Sequence, residues 1–243
     1  MYGVANGQLA SAVSKAGGFG FIGGGFDFSP ASPQIPALDT ELSNARKLLN
    51  LDAQPDAILP IGVGFITFHP SVTSMVDALG SLVQRHKPAA IWLAFPLTQE
   101  DRTNLTHGEV IPRLKELGSY WRMKVFVQVG TVAAAREAVM QGADAIVAQG
   151  VDAGGHQFAA GAGVISLVPE VRKMLDEEFE DRKIPLLAAG GIASGRSVAA
   201  ALACGADGVT MGTRFIVANE SPASDATKSM ILSTRDGGVT TIK

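Results

Sequence analysis

Among the four histidines, only His156 follows a glycine pair, at the end of the run Ala145-Ile-Val-Ala-Gln-Gly-Val-Asp-Ala-Gly-Gly-His156. An imidazole titrates near neutrality, so it can hold an anion or move a proton, and the N–H groups of Gly154 and Gly155 precede it in the chain. No second histidine or carboxylate stands at ligand spacing from His156, which argues against a metal centre. Asp152 reads as a residue that orients the loop rather than as an acid. His69, His86 and His107 stand beside Pro70, Lys87 and Gly108, where solvated surface or local capping is the expected role.

Two glycine-rich turns carry a second kind of chemistry. The stretches Ala188-Ala-Gly-Gly-Ile-Ala-Ser-Gly195 and Thr210-Met-Gly-Thr213 each follow an apolar run, and the first leads into a helix at Ser194. Backbone N–H groups at Gly190, Gly191, Met211 and Gly212, with the Thr213 hydroxyl, would suit a phosphate, because glycine lets the chain approach closely. Gln128 and Gln149 end two further apolar runs, and neutral amides there suit hydrogen bonds to a polar heterocycle better than proton transfer. Gly18-Phe-Gly-Phe-Ile-Gly23 spells the dinucleotide fingerprint, but a helix precedes it and its glycines fall inside a strand, so that reading is set aside.

These groups need a scaffold, and the chain repeats one. Thr131 to Gln149 reads as a helix, then Gly142-Ala-Asp144, then the strand Ala145–Ala148; Ser194 to Gly212 reads as a helix, then Gly205-Ala-Asp207, then Gly208–Met211. In both, a Ser or Thr opens the helix and a glycine closes it. Gln8 to Ile22 is a looser third copy. Such units imply parallel strands with right-handed crossovers. Continuous apolar runs at Leu59–Phe65, Ala89–Phe95, Lys124–Val129 and Ile184–Ala189 suit strands covered on both faces. Helices are expected at Thr40–Asn50, Ser71–His86, Val110–Gly118, Ser166–Phe179 and Ser221–Leu232. Asp27 to Pro36 reads as a long loop.

Seven strands are clear, where a parallel (β/α)8 TIM barrel has eight. Met1-Tyr-Gly-Val4 reads as the tail of a missing first strand, and Val239 to Lys243 ends without a partner. The expectation is one α/β barrel domain over residues 1–243, shortened at both ends. Gln128 and Gln149 then close strands five and six, and the two glycine turns follow strands seven and eight.

The chain has 243 residues, is 47% hydrophobic and carries a formal net charge of -3. That length accommodates a full barrel core, and the absence of any Lys/Arg cluster argues against a nucleic-acid partner. The single cysteine, Cys204, permits no internal disulfide, so a reducing, cytoplasmic setting is expected, with Cys204 as a buried small residue. No apolar run approaches a membrane span, and no signal peptide is expected.

Together the motifs resemble the nitronate monooxygenase family, formerly 2-nitropropane dioxygenases. The matching pieces are Met1-Tyr-Gly-Val-Ala, Ala148-Gln-Gly-Val-Asp-Ala-Gly-Gly-His156, Ala188-Ala-Gly-Gly-Ile192 and Met211-Gly-Thr-Arg-Phe215, in the family's order and spacing. The resemblance implies an FMN-containing TIM barrel. Gly191 and Thr210 to Thr213 would hold the FMN phosphate. Gly3, Gln128, Gln149 and Gly154 would lie along the ribityl chain and ring, and His156 would face the flavin. Gly64 stands where many members have an asparagine, and the resemblance leads us to expect that most of strand one and the family's C-terminal lid are missing. The implied chemistry is oxidative denitrification of an alkyl nitronate or nitroalkane by O2, giving a carbonyl compound and nitrite. Two other readings compete: a flavin-dependent enoyl-acyl-carrier-protein reductase using a nicotinamide, which shares these motifs, and a non-catalytic truncated barrel. Oligomeric state is not legible.

Overall fold

The repeated helix–glycine–strand unit recurs through the computed structural model, which describes residues 2–96 and 107–240. Met1 of the opening motif and Thr241–Lys243 of the terminal run lie outside the described residues. The chain forms two compact units, Met1–Val125 with Ala218–Pro222, and Phe126–Val217 with Ala223–Lys243.

In the first unit, α1 (Gly7–Lys15) leads into β1 (Gly20–Gly25), α2 (Gln34–Leu48) into β2 (Leu59–Ile66) and α3 (Met75–His86) into β3 (Pro88–Ala94); α4 (His107–Leu117) follows. The three strands pair in parallel, with Ile22 opposite Val63 and Val63 opposite Ile91. Ile61, Val63 and Phe65 alternate on the buried face of β2, as the two-residue period of a strand requires. On the other face, Phe21 and Trp92 meet edge to face at 5.1 Å.

Three expectations need correction in this unit. Asp27–Pro36 is not one long loop, because α2 already starts at Gln34, with Pro33 at its N-cap and Pro36 in its first turn. Proline tolerates that position, where the N–H it lacks would have no partner. His86 and His107 are not solvated: they are 3% and 5% exposed. Both fall on the apolar stripes of their helices, beside Leu79, Leu82 and Val83 in α3 and Val110, Ile111 and Leu114 in α4. His86 Nε2 lies 2.7 Å from Asp39 Oδ1, and His107 Nε2 lies 2.7 Å from Thr67 Oγ1. Burial pushes the His107 pKa down to about 4. His69 does cap locally, its Nδ1 accepting from Ser71 N–H.

The second unit opens at Phe126 within β4 (Lys124–Val129), after which α5 (Val132–Met140), β5 (Ala145–Gln149), α6 (Val164–Glu178), β6 (Leu186–Ala189), α7 (Gly195–Ala203), β7 (Gly208–Thr210) and the short α8 (Thr213–Ile216) alternate, and α9 (Asp225–Ser233) follows. β4 pairs with β5, β5 with β6 and β6 with β7, all parallel. The ends of α5 and α7 follow the sequence reading. Thr131 accepts from Ala134 N–H to open α5, and Ser194 and Ser197 form a capping box at α7. Gly142 and Gly205 end these helices at φ +101° and +98°, a left-handed turn that a side chain would strain. Asp207, the acid of the second Gly-Ala-Asp, accepts from Leu186 N–H at 2.8 Å and from Arg172 Nη2 at 2.7 Å, fixing where β6 begins. The architecture is the expected parallel (β/α)-barrel class, with seven strands among the described residues.

Candidate active site

The four strands of the second unit run in one direction, and each is followed within two residues by a glycine: Gly130, Gly150, Gly190 and Gly212. Their C-terminal ends therefore form one rim with little side-chain bulk. Register decides what faces it. Gln149 lies opposite Ala189, and Ala189 opposite Thr210, so these three share one row and one face. Gln128 lies opposite Val147, one rung further down the same face. The sequence placed both glutamines and Thr210 at this rim, and the strand register brings them together.

Gln128 is 9% exposed. The Gln149 amide is divided between two tasks: Nε2 donates to the His156 carbonyl at 3.1 Å, while Oε1 is buried with no partner among the described residues. A buried acceptor without a donor is costly, about 1–3 kcal/mol, so it marks a place where a ligand N–H or O–H fits.

The loop after β5 is held at both flanks. Val151 N–H donates to the Ala162 carbonyl at 3.0 Å. Asp152 Oδ2 accepts from Val164 N–H at 2.6 Å at the start of α6, which makes Asp152 the loop-orienting group the sequence suggested, favoured there by the helix dipole. Gln157 Nε2 donates to the Ala153 carbonyl. The Phe158 ring lies over Gly130, whose Cβ position is 2.8 Å from Phe158 Cδ2. Gly154, Gly155 and His156 form the exposed crest, with Gly155 at φ +78°. Sequence reasoning passed over Gly130 and Phe158. A glycine directly after a strand was the available signal.

The turn after β6 approaches this loop closely. Gly190 and Gly191 take φ +109° and +66°, and a Cβ on Gly190 would lie 3.0 Å from Ala153 N and from the Gly150 carbonyl oxygen. Ser197 Oγ takes the Ala193 and Ser194 amides at 3.1 and 3.0 Å. That leaves the amides of Gly191, Ile192 and Gly195 without a protein acceptor among the described hydrogen bonds, at the N-terminus of α7. Met211 is half-buried, and Gly212 and Thr213 are exposed at the end of β7, with nothing within 4 Å of a Cβ at Gly212. Open amides at a helix start, a free acceptor at Gln149 and bare glycine turns fit a phosphate-bearing ligand with a hydrogen-bonding ring, as FMN is. Gly3, at φ +80°, belongs to the first unit.

A cleft of about 210 Å³ borders the Gly190–Gly191 turn, but Ile165, Ala200, Ala201 and Cys204 line its other walls and neither glutamine does. It is smaller than typical small-molecule sites of about 300–1,000 Å³ and lies off the register row. Cys204, the last-turn residue capping α7, is half-buried there rather than fully buried as expected. Among the described residues no group of acidic, histidine or cysteine side chains could hold a metal, and no helix is long and apolar enough to cross a membrane.

The sequence model of the nitronate monooxygenase family matches residues 103–241. A nitronate monooxygenase from Neurospora crassa is 49% identical over 250 residues, which is 100% of this chain and 65% of that protein. Nitronate monooxygenase npaC from Metarhizium robertsii is 36% identical over 97% of this chain and 62% of its own length. The chain thus spans somewhat less than two thirds of these curated relatives. Among solved structures, FabK from Thermotoga maritima superposes with a TM-score of 0.72 at 30% identity, covering 96% of this chain and 62% of that one. A nitroalkane oxidase from Streptomyces ansochromogenes superposes with a TM-score of 0.69 at 28% identity, covering 94% and 67%.

Proposed function

The chain belongs to the nitronate monooxygenase family, and from that premise we propose that the rim of the second unit holds FMN and oxidises alkyl nitronates or nitroalkanes with O2 to a carbonyl compound and nitrite. The register row Gln149–Ala189–Thr210, with the His156 loop tied to its first member, carries this reading. FMN, when bound, supplies the electron-accepting and O2-reducing chemistry. The chain's residues supply the rest. The amides of Gly191, Ile192 and Gly195, with the Thr213 hydroxyl, would hold the phosphate, and Gly190, Met211 and Gly212 shape the turns that give it access. Gln149 Oε1 and the Gln128 amide would face the ribityl chain and ring, with Gly154 and Gly155 along it. His156 would bind the nitronate anion, or take the proton from the carbon of a neutral nitroalkane. The half-buried Cys204 thiol suits the reducing cytoplasm we propose as its compartment.

An absorbance spectrum with and without added FMN is the first test, followed by nitrite release from a nitroalkane. His156→Asn should keep FMN and lose most turnover. Unchanged kinetics would remove His156 from the reaction. A second reading, which the Gly-Gly-His loop and the glycine turns serve equally, is a flavin-dependent enoyl reductase drawing on a nicotinamide. Anaerobic mixing with NADH or NADPH separates the two: rapid bleaching of the flavin supports the reductase, and inert flavin supports the monooxygenase.

A further inference from the structure

We propose that Gln149 is the positioning residue for His156, and that its amide couples the placement of the imidazole to a hydrogen-bond donor of the bound ligand. This inference rests on the flavoenzyme reading for the identity of the ligand, though not for the hold on the loop. Gln149 is the last residue of β5, so its backbone is anchored by the ladder to β6. Its Nε2 reaches across seven residues to the His156 carbonyl. Contacts at residues 151–153 and 157–164 hold the flanks of this loop, and the Gln149 amide holds the backbone of His156 itself. That matters because two glycines precede the histidine, and a Gly-Gly link alone restrains little.

The amide has only one workable sense. Turning it over would set Oε1 against the His156 carbonyl, acceptor against acceptor. Nε2 is therefore committed to the loop, and Oε1 points its lone pairs at the buried side, where it has no partner among the described residues. A ligand donor placed there completes the amide and fixes its orientation. The same contact then stiffens the hold on His156, so ligand uptake and imidazole placement are linked through one side chain.

Two substitutions separate the halves of the proposal. Gln149→Glu keeps an acceptor for the ligand but sets a second acceptor against the His156 carbonyl; Gln149→Leu removes both ends. In the full chain without added flavin, the His156 ring-proton NMR signal, identified by its loss in His156→Asn, is expected to shift or broaden in both variants. Chymotryptic cleavage after Phe158, followed by mass spectrometry, is expected to rise roughly fivefold or more. In fluorescence titration, Gln149→Glu should bind FMN within about threefold of the parent chain, and Gln149→Leu roughly tenfold or more weakly. Both should lower kcat for a nitronate more than they raise KM.

An unchanged His156 signal with unchanged cleavage overturns the positioning role, and equal FMN affinity in the two variants overturns the coupling. If the parent chain takes up no FMN, the proposed function fails, while the flavin-free measurements still decide whether Gln149 holds His156.

Discussion

β4 runs directly into Gly130, and the Phe158 ring occupies the space its side chain would fill. A Cβ there would lie 2.8 Å from Phe158 Cδ2 and 2.9 Å from Phe158 Cβ and Cγ. Carbon atoms in contact settle at about 3.5–4.0 Å, so Gly130→Ala must drive Phe158 away by about 0.6–1.2 Å. Gly130 has no positive φ, so the backbone itself accepts alanine. The cost is overpacking, about 1–3 kcal/mol, or a Tm lower by about 2–12 °C for a chain of this length. Phe158 lies two residues beyond His156, and misplacing a reacting group by about 1 Å costs up to roughly 100-fold in rate. Gly130→Ala is therefore expected to lower nitronate kcat by about 10–100-fold. Thermal melting and nitrite release measure the two effects. Combining it with Phe158→Ala, which deletes the ring, should give a double mutant more stable than the sum of the single losses. A Gly130→Ala protein with the parent Tm and kcat would refute the idea that this contact places the His156 loop.

Three further outcomes follow from the same geometry. Burial holds His107 neutral, its pKa at about 4 against 6.5. As pH falls below 6.5 the unfolded chain takes up this proton first, so the contribution is complete above 6.5 and drains by about 3 kcal/mol towards pH 4. Urea unfolding at pH 7 and near pH 4.5 should show that loss, and His107→Gln should lack most of it; an equal slope in both proteins would exclude His107 as its source. Ser194→Ala removes the acceptor for Ser197 N–H, at 3.3 Å, and is expected to cost about 1 kcal/mol and to weaken FMN binding by loosening the start of α7; a titration curve matching the parent's would count against a phosphate seat there. Arg46, 7% exposed, donates to the carbonyls of Ala57, His86, Leu51 and Gln54. Arg46→Met should cost about 3–5 kcal/mol in a denaturant titration, and a loss under about 1 kcal/mol would mean water replaces the guanidinium at no expense.

Much of this architecture is local in origin, and local features are legible in a sequence. The apolar runs became the seven described strands. Thr131 and Ser194 cap as their types and positions require, and Gly142 and Gly205 take the left-handed turn that ends a helix. Those outcomes depend on a few neighbouring residues. His86 and His107 show how far the same logic reaches. Their spacing from Leu79, Leu82 and Val83, and from Val110, Ile111 and Leu114, already placed them on buried stripes, but a residue-by-residue reading of polar neighbours hid that.

His156, the glutamines and the glycine turns were identifiable from residue type and order alone. Their arrangement was not. Whether Gln149, Ala189 and Thr210 form one row depends on the register of three strands, and a slip of one residue would turn each side chain to the opposite face. The partners of Asp152 and Gln149, and the contact of Phe158 with Gly130, join residues 12, 7 and 28 positions apart. No local preference encodes such pairings, because they arise only when packed strands and helices bring loop ends together. The sequence by itself determined which groups could do chemistry and the elements that carry them; only the tertiary structure decided that the Gln149 amide grips His156 and leaves its other end buried without a partner among the described residues.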